Sequence, residues 1–162
     1  MRITYIHQYF KTPSQAGGSR SFEFASRLAR DGHEVTVICG GSDARKYEIE
    51  GFTVVQLRAP YNNKYSIQRR VAAMASFMVR SVVAAAKVPA DVVFATSTPL
   101  SVAVPGIIAA RARNARFIFE VRDLWPEIPR ALGYLNNGVL YRAARALEWF
   151  TYRSADEVVA LS

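Results

Sequence analysis

Residues 28–39 read LARDGHEVTVIC, and the change of period inside them decides the fold. Up to Arg30 the apolar residues keep helical spacing, with Phe22, Ala25, Leu28 and Ala29 on one face. Asp31-Gly32 closes that helix, because glycine takes the left-handed backbone of a C-terminal cap without steric cost. Val35 to Cys39 is then a continuous apolar, β-branched run, the pattern of a buried strand.

The same alternation extends in both directions. Ile3–Ile6 reads as a first strand, Gln8–Gly18 as a long loop, and the helix of the opening stretch starts near Gly18 or Ser19. Gly40-Gly41 reads as a turn after the second strand. Phe52–Leu57 is a third strand, stopped by Ala59-Pro60, and Ser66–Lys87 is a helix ending before Pro89. Asp91–Ala95 is a fourth strand. Thr98 has the character of a helix N-cap, with Pro99 at the first helical position, where its missing N–H does no harm. Pro105 should kink that helix or split it in two. Phe117–Val121 is a fifth strand, a helix begins around Pro126, another runs from about Asn137 to Arg153, and Glu157–Leu161 is a sixth strand.

Alternating strands and helices predict one α/β domain over residues 1–162. Its expected form is a Rossmann-like, doubly wound parallel sheet of six strands, with right-handed crossovers and helices on both faces. Such sheets bind ligands outside the carboxyl ends of their strands, where the strand order reverses. The functional segments are therefore expected at His7–Gly18, Gly40–Ser42, Thr96–Thr98 and Arg122–Glu127.

Composition bounds the rest. The chain has 162 residues, 51% of them hydrophobic and 21% charged, so it is long enough and apolar enough to bury a core. One cysteine excludes an intrachain disulfide framework and fits a reducing compartment. With two histidines beside it, no zinc-ligand spacing exists. The N-terminus has no secretory pattern, and the most apolar stretch, Val71–Ala86, is interrupted by Arg80 and too short to span a bilayer. These features predict a cytoplasmic chain. Lys and Arg outnumber Asp and Glu by 21 to 13, a net charge of +8 that suits phosphate-bearing substrates or an anionic membrane surface. No nucleic-acid-binding signature accompanies it.

Gly17-Gly18-Ser19 precedes a helix, where glycines allow close approach to the backbone and free N–H groups attract anions. The spacing is not the dinucleotide fingerprint, and no acidic residue follows the second strand to hold a ribose, which excludes an NAD dehydrogenase reading. A plain flexible loop explains the glycines equally well. His7, at the end of the first strand, is either a ligand contact or a buried structural residue. His33 reads as structural, and Cys39 as packing. Thr96, Ser97, Thr98 and Ser101 bring four hydroxyls to another strand-to-helix junction, suited to sugar or phosphate oxygens or to capping alone. Glu120-Val121-Arg122-Asp123-Leu124-Trp125-Pro126-Glu127 is the most informative segment. Asp123 can orient a hydroxyl or act as a base, Arg122 can bind phosphate or pair with a carboxylate, and Trp125 can stack on a sugar ring or pack. The alternative is an Asp cap with a solvated charge pair. Arg69 and Arg70 lie at the start of an acid-free helix, where cations oppose the helix dipole; membrane or anion contact and ordinary solvation both remain open.

Three segments carry a family resemblance: Ile3–Phe10 running into Gly17-Gly18-Ser19-Arg20; Leu28–Val37; and Val121-Arg122-Asp123-Leu124-Trp125-Pro126-Glu127, followed by the closing Ser154–Ser162. In this order they resemble the N-terminal domain of GT-B retaining glycosyltransferases of family four, most of all bacterial enzymes of surface-polysaccharide synthesis. The resemblance implies a two-domain enzyme. The N-terminal domain would hold the acceptor, the C-terminal domain the nucleotide-sugar, and transfer would retain configuration without a metal. It places Gly17-Gly18 in the cleft, gives Asp123 an acceptor-orienting role and Glu127 a supporting one. It also sets Arg122 where many members carry histidine. The C-terminal donor domain, with its paired glutamates, is a partner lying outside these residues, so the chain alone is expected to be inactive. A non-catalytic binding module and a nucleotide-sugar 2-epimerase are the alternatives.

Overall fold

A computed structural model describes residues 1–62 and 64–161; Ser162, the last residue of the closing segment, lies outside them. The elements are β1 (Arg2–Ile6), α1 (Arg20–Arg30), β2 (Glu34–Gly41), β3 (Arg45–Ile49), β4 (Phe52–Arg58), α2 (Ile67–Lys87), β5 (Val92–Thr96), a 3-10 turn (Leu100–Val102), α3 (Ala103–Arg113), β6 (Arg116–Val121), α4 (Glu127–Ala131), α5 (Gly138–Ser154) and β7 (Glu157–Ala160). They form one sheet in the order β3-β4-β2-β1-β5-β6-β7. Every pairing is parallel except the β3–β4 hairpin. The predicted Rossmann-like α/β class is therefore the observed one. The strand order reverses at β1, which has β2 on one side and β5 on the other.

The central strands are buried on both faces, so two cores form. Ile3, Tyr5, Val35, Val37 and Phe94 pack under α1 with Phe22 and Ala25. Ile6, Val93, Ala95, Phe117 and Phe119 pack on the other side with Phe77 and Ala85 of α2 and Ile107 of α3. Phe77, Ser81 and Ala85 are the buried line of α2, at intervals of four residues. Burying Phe77 completely stabilises the fold by roughly 1.5–3 kcal/mol. Gly106 sets the depth of α3. A Cβ there would stand 2.6 Å from the Phe117 ring and 3.1 Å from the Ala95 Cβ.

Several expectations need correction. The sheet has seven strands, because β3 was absent from the predicted set. The two-residue turn Glu50-Gly51, at φ +48° and +81°, forces the chain straight back into a hairpin. Gly40-Gly41 is not a turn; both residues continue β2, paired with Leu57 and Arg58. Gly40 is needed there for close approach, since a Cβ would lie 3.2 Å from the Gln8 carbonyl and 3.3 Å from that of Ala59. Helix α1 begins at Arg20 rather than at Gly18 or Ser19. Thr98 caps no helix; the 3-10 turn follows Pro99, and the Thr98 hydroxyl bonds Asp123 instead. Pro105 does not kink a helix. The segment splits into the 3-10 turn and α3, and Pro105 falls in the first turn of α3, where its N–H would have no intrahelical partner. Gly32, at φ +83°, follows the C-terminus of α1 as expected, and Asn137 caps α5 by accepting from the Val139 and Leu140 N–H groups.

Candidate functional site

Parallel strands ending at one edge, with the order reversing at β1, leave a crevice there. In this chain it is an open cleft of about 1300 Å³. Each of the four predicted post-strand segments contributes to its wall: Gln8–Lys11 and Ala16–Gly18 after β1, Gly40–Ser42 at the end of β2, Thr98 after β5, and Trp125 after β6. Three contributors come from outside those segments. They are the loop around Tyr61, the first turns of α2 with Ile67, Arg70 and Val71, and Tyr134 beyond α4. The wall is aromatic, and the Tyr9 and Tyr61 rings pack at a 45° tilt with centroids 4.6 Å apart.

The predicted site residues divide into two groups. Gly17, Gly18, Trp125 and Arg70 line the cleft. Gly17 has φ +131°, a conformation that L side chains rarely adopt, whereas a Cβ at Gly18 would meet no atom within 4 Å. Only Gly17 is therefore glycine for a conformational reason. Ser19 precedes α1 without a side-chain capping bond, and its carbonyl accepts from the Glu23 N–H at 2.9 Å.

The second group does not line the cleft, and most of its members tie neighbouring segments together. Thr96 and Ser97 are buried, and their hydroxyls are used within the protein. Ser97 Oγ accepts from the Arg122 N–H at 2.9 Å, and the Ser97 N–H donates to the Glu120 carbonyl at 3.0 Å, so the loops after β5 and β6 are tied side by side. Asp123 is exposed, and its carboxylate accepts from the Thr98 hydroxyl. The Glu127 carboxylate is paired with Arg145 at 2.7 Å and Tyr141 at 3.5 Å, joining α4 to α5. The Arg145 guanidinium holds the Glu127 carboxyl below its usual range. Arg69 lies over the Tyr65 ring at 3.9 Å, and Arg70 over the Tyr134 ring at 5.0 Å.

His7 is only 5% exposed and lies against Tyr5 rather than on the cleft wall; its Nδ1 finds no partner among the described residues. Burial, assisted by the Arg122 charge, depresses its pKa to about 3, so the ring is neutral at physiological pH.

Sequence reasoning gave no role to a buried polar network under α1. Glu120 is 4% exposed, yet its carboxylate accepts from Arg20 at 2.6 Å and from the Thr96 hydroxyl at 2.9 Å, and Thr96 Oγ1 lies 3.1 Å from the Tyr5 phenol. A buried carboxylate needs such partners. Because Arg20 is the first residue of α1, the network anchors the end of the glycine loop to the sheet. A charge in the otherwise apolar run of β6 is the signal that could have found it. Gln8 was also missed. It is 2% exposed, lines the cleft, and neither carboxamide atom has a partner among the described residues. Leaving such a group unpaired costs about 1–3 kcal/mol.

Among the described residues no group of three or more His, Cys, Asp and Glu is placed to hold a metal ion, and no helix is long and apolar enough to cross a membrane. Among solved structures, the chain is similar to a sucrose-phosphate synthase from Thermosynechococcus elongatus, at 14% identity and a TM-score of 0.64. That similarity covers 97% of this chain and 41% of the synthase chain, and at this identity it speaks for the fold. No curated protein matches the sequence. The glycosyl transferase 4-like domain matches residues 17–162, from the glycine loop to the final residue. The chain belongs to the glycosyl transferase 4-like domain family.

Proposed function

We propose that this chain is the acceptor-side half of a glycosyltransferase that moves a sugar from a nucleotide-sugar to a lipid-linked or polysaccharide acceptor in cell-envelope polysaccharide synthesis. The observation that carries the reading is the open, aromatic cleft at the strand-order reversal, with Gly17 and Trp125 in its wall. Aromatic faces suit the apolar faces of sugar rings or a lipid chain, and the glycine loop admits a bulky ligand close to the backbone. In the proposed reaction the acceptor hydroxyl bonds to the anomeric carbon as the bond to the nucleotide diphosphate breaks, and the hydroxyl proton leaves with the diphosphate. Asp123 orients the acceptor. Glu127 acts at one remove, through the Arg145 pairing that seats α4 on α5. Arg122 is held by its backbone bond to Ser97 at the position where many relatives carry histidine. No metal is required. The chain spans 41% of the synthase chain it is similar to, and the proposal assigns the donor site to a second domain.

Work at the cytoplasmic membrane face is part of the proposal. It is supported by Ile67, Val71, Val79 and Val83, all exposed along α2, and by the absence of acidic residues from that helix. The test is reconstitution. The isolated chain should transfer no sugar, and mixing it with a separately produced donor-binding half should restore transfer, reduced by Asp123→Ala. Silence of the mixture would instead indicate a non-catalytic binding module. Vesicle co-sedimentation that ignores anionic lipid content would remove the membrane part.

A further inference from the structure

We infer that the α2 end of the cleft is a phosphate subsite, in which Arg70 and Lys11 supply the charge and Gln8 and Tyr9 supply hydrogen bonds. The inference deepens the proposed function and rests on its reading of the cleft as the substrate site.

Charge distribution is the first argument. The described cleft wall contains Lys11 and Arg70 but neither Asp nor Glu. Of the carboxylates near the site, Glu120 is paired with Arg20 and Glu127 with Arg145, and Asp123, which accepts from the Thr98 hydroxyl, is not part of the wall that Lys11 and Arg70 line. Neither Lys11 nor Arg70 forms an ion pair among the described residues. Arg70 lies against the Tyr134 ring, which orients the guanidinium by its face and leaves its N–H edge for a ligand. A cleft with two cations and no carboxylate selects an anion.

Unpaired polar groups are the second, independent argument. The Gln8 carboxamide is buried without a partner among the described residues; the buried Tyr9 phenol oxygen has only the Tyr61 phenol beside it, with no well-formed hydrogen bond, and both residues line the same cleft. Burial raises the Tyr9 pKa above its usual value, so the phenol keeps its proton and acts as a donor. Gln8 offers an amide nitrogen with two N–H donors and a carbonyl acceptor. A phosphate beside a ligand hydroxyl would satisfy both, whereas a purely apolar occupant would leave them unpaired. Arg70 and Tyr9 line the same cleft, and the Arg70 charge is felt at the Tyr9 phenol.

Phosphate could arrive on a lipid diphosphate acceptor or on a nucleotide diphosphate. The proposal concerns the shared group. Calorimetric titration of inorganic pyrophosphate into the 162-residue chain should show saturable one-site binding. Arg70→Met should weaken it about tenfold, the size of losing one charge-assisted contact. Tyr9→Phe and Gln8→Met should each weaken it less, while Lys87→Met, which removes the same charge at the far end of α2, should leave it unchanged. Farnesyl diphosphate and uridine diphosphate are then run as competitors: displacement by either supports the subsite, and the tighter of the two names the source. Absence of saturable pyrophosphate binding, or equal weakening by Arg70→Met and Lys87→Met, overturns the inference. If Gln8→Met fails to fold, the Arg70 and Tyr9 variants carry the test. Sugar transfer by the reconstituted enzyme from a nucleotide diphosphate donor to a diphosphate-bearing acceptor, unaffected by Arg70→Met, would sink the subsite and leave the transferase reading standing. Arg70-dependent pyrophosphate binding without any transfer would do the reverse.

Discussion

His7 should make this fold weaken on acidification, above the range in which its carboxylates titrate. The ring is 5% exposed, and burial with the nearby Arg122 charge holds its folded-state pKa at about 3. In the unfolded chain it titrates near 6.5. Between those values the unfolded state binds a proton that the folded state does not, so stability falls as the pH falls through that window. The slope approaches about 1.4 kcal/mol per pH unit, and from pH 6 to pH 4 the His7 contribution is roughly 2.5 kcal/mol. Replacement by a neutral residue removes this slope whatever it does to stability at neutral pH. Urea unfolding of the wild type and His7→Gln at pH 7, 6, 5 and 4 isolates the effect. Other groups titrate equally in both proteins, so the difference between the two curves reports His7 alone. The difference should change by roughly 2–3 kcal/mol in favour of the variant between pH 6 and pH 4. Parallel curves over that range would refute the reasoning, because they would mean that the ring is solvated or finds an acceptor in its protonated form.

Two further outcomes follow from the packing. Gly106→Ala gains about 1 kcal/mol of helix propensity, but its Cβ would stand 2.6 Å from the buried Phe117 ring, and overpacking of that kind costs about 1–3 kcal/mol. Thermal melting should therefore show a lower midpoint, and an unchanged or raised midpoint would mean that the ring shifts freely. Glu120→Ala strips the Thr96 hydroxyl and Arg20 of their buried partner and should cost about 1–3 kcal/mol in chemical denaturation, with faster amide exchange at the start of α1, while Glu120→Gln should recover part of it. Equal loss in both variants would show that hydrogen bonding at this position contributes little.

The sequence by itself determined the alternation of strand and helix, and with it the parallel sheet and the edge at which ligands bind. That information is local: the period of apolar residues changes at Gly32, and chain chirality dictates the crossovers. Strand β3 escaped this reading because Arg45, Lys46 and Glu48 lie on an exposed edge, where burial imposes little pattern. All four post-strand segments were legible as cleft walls for the same topological reason. What each side chain does inside them was not. Thr96 and Ser97 stand in a segment that reads as a ligand loop, yet strand pairing buries them against Glu120 and Arg122. Gln8, Tyr61, Tyr134 and Arg70 come from four separate stretches and meet only because α2 and the chain beyond α4 fold over the same strand ends. Burial and contact depend on residues far apart in the chain, so only the tertiary structure could distinguish the residues that face the cleft from those that hold it open.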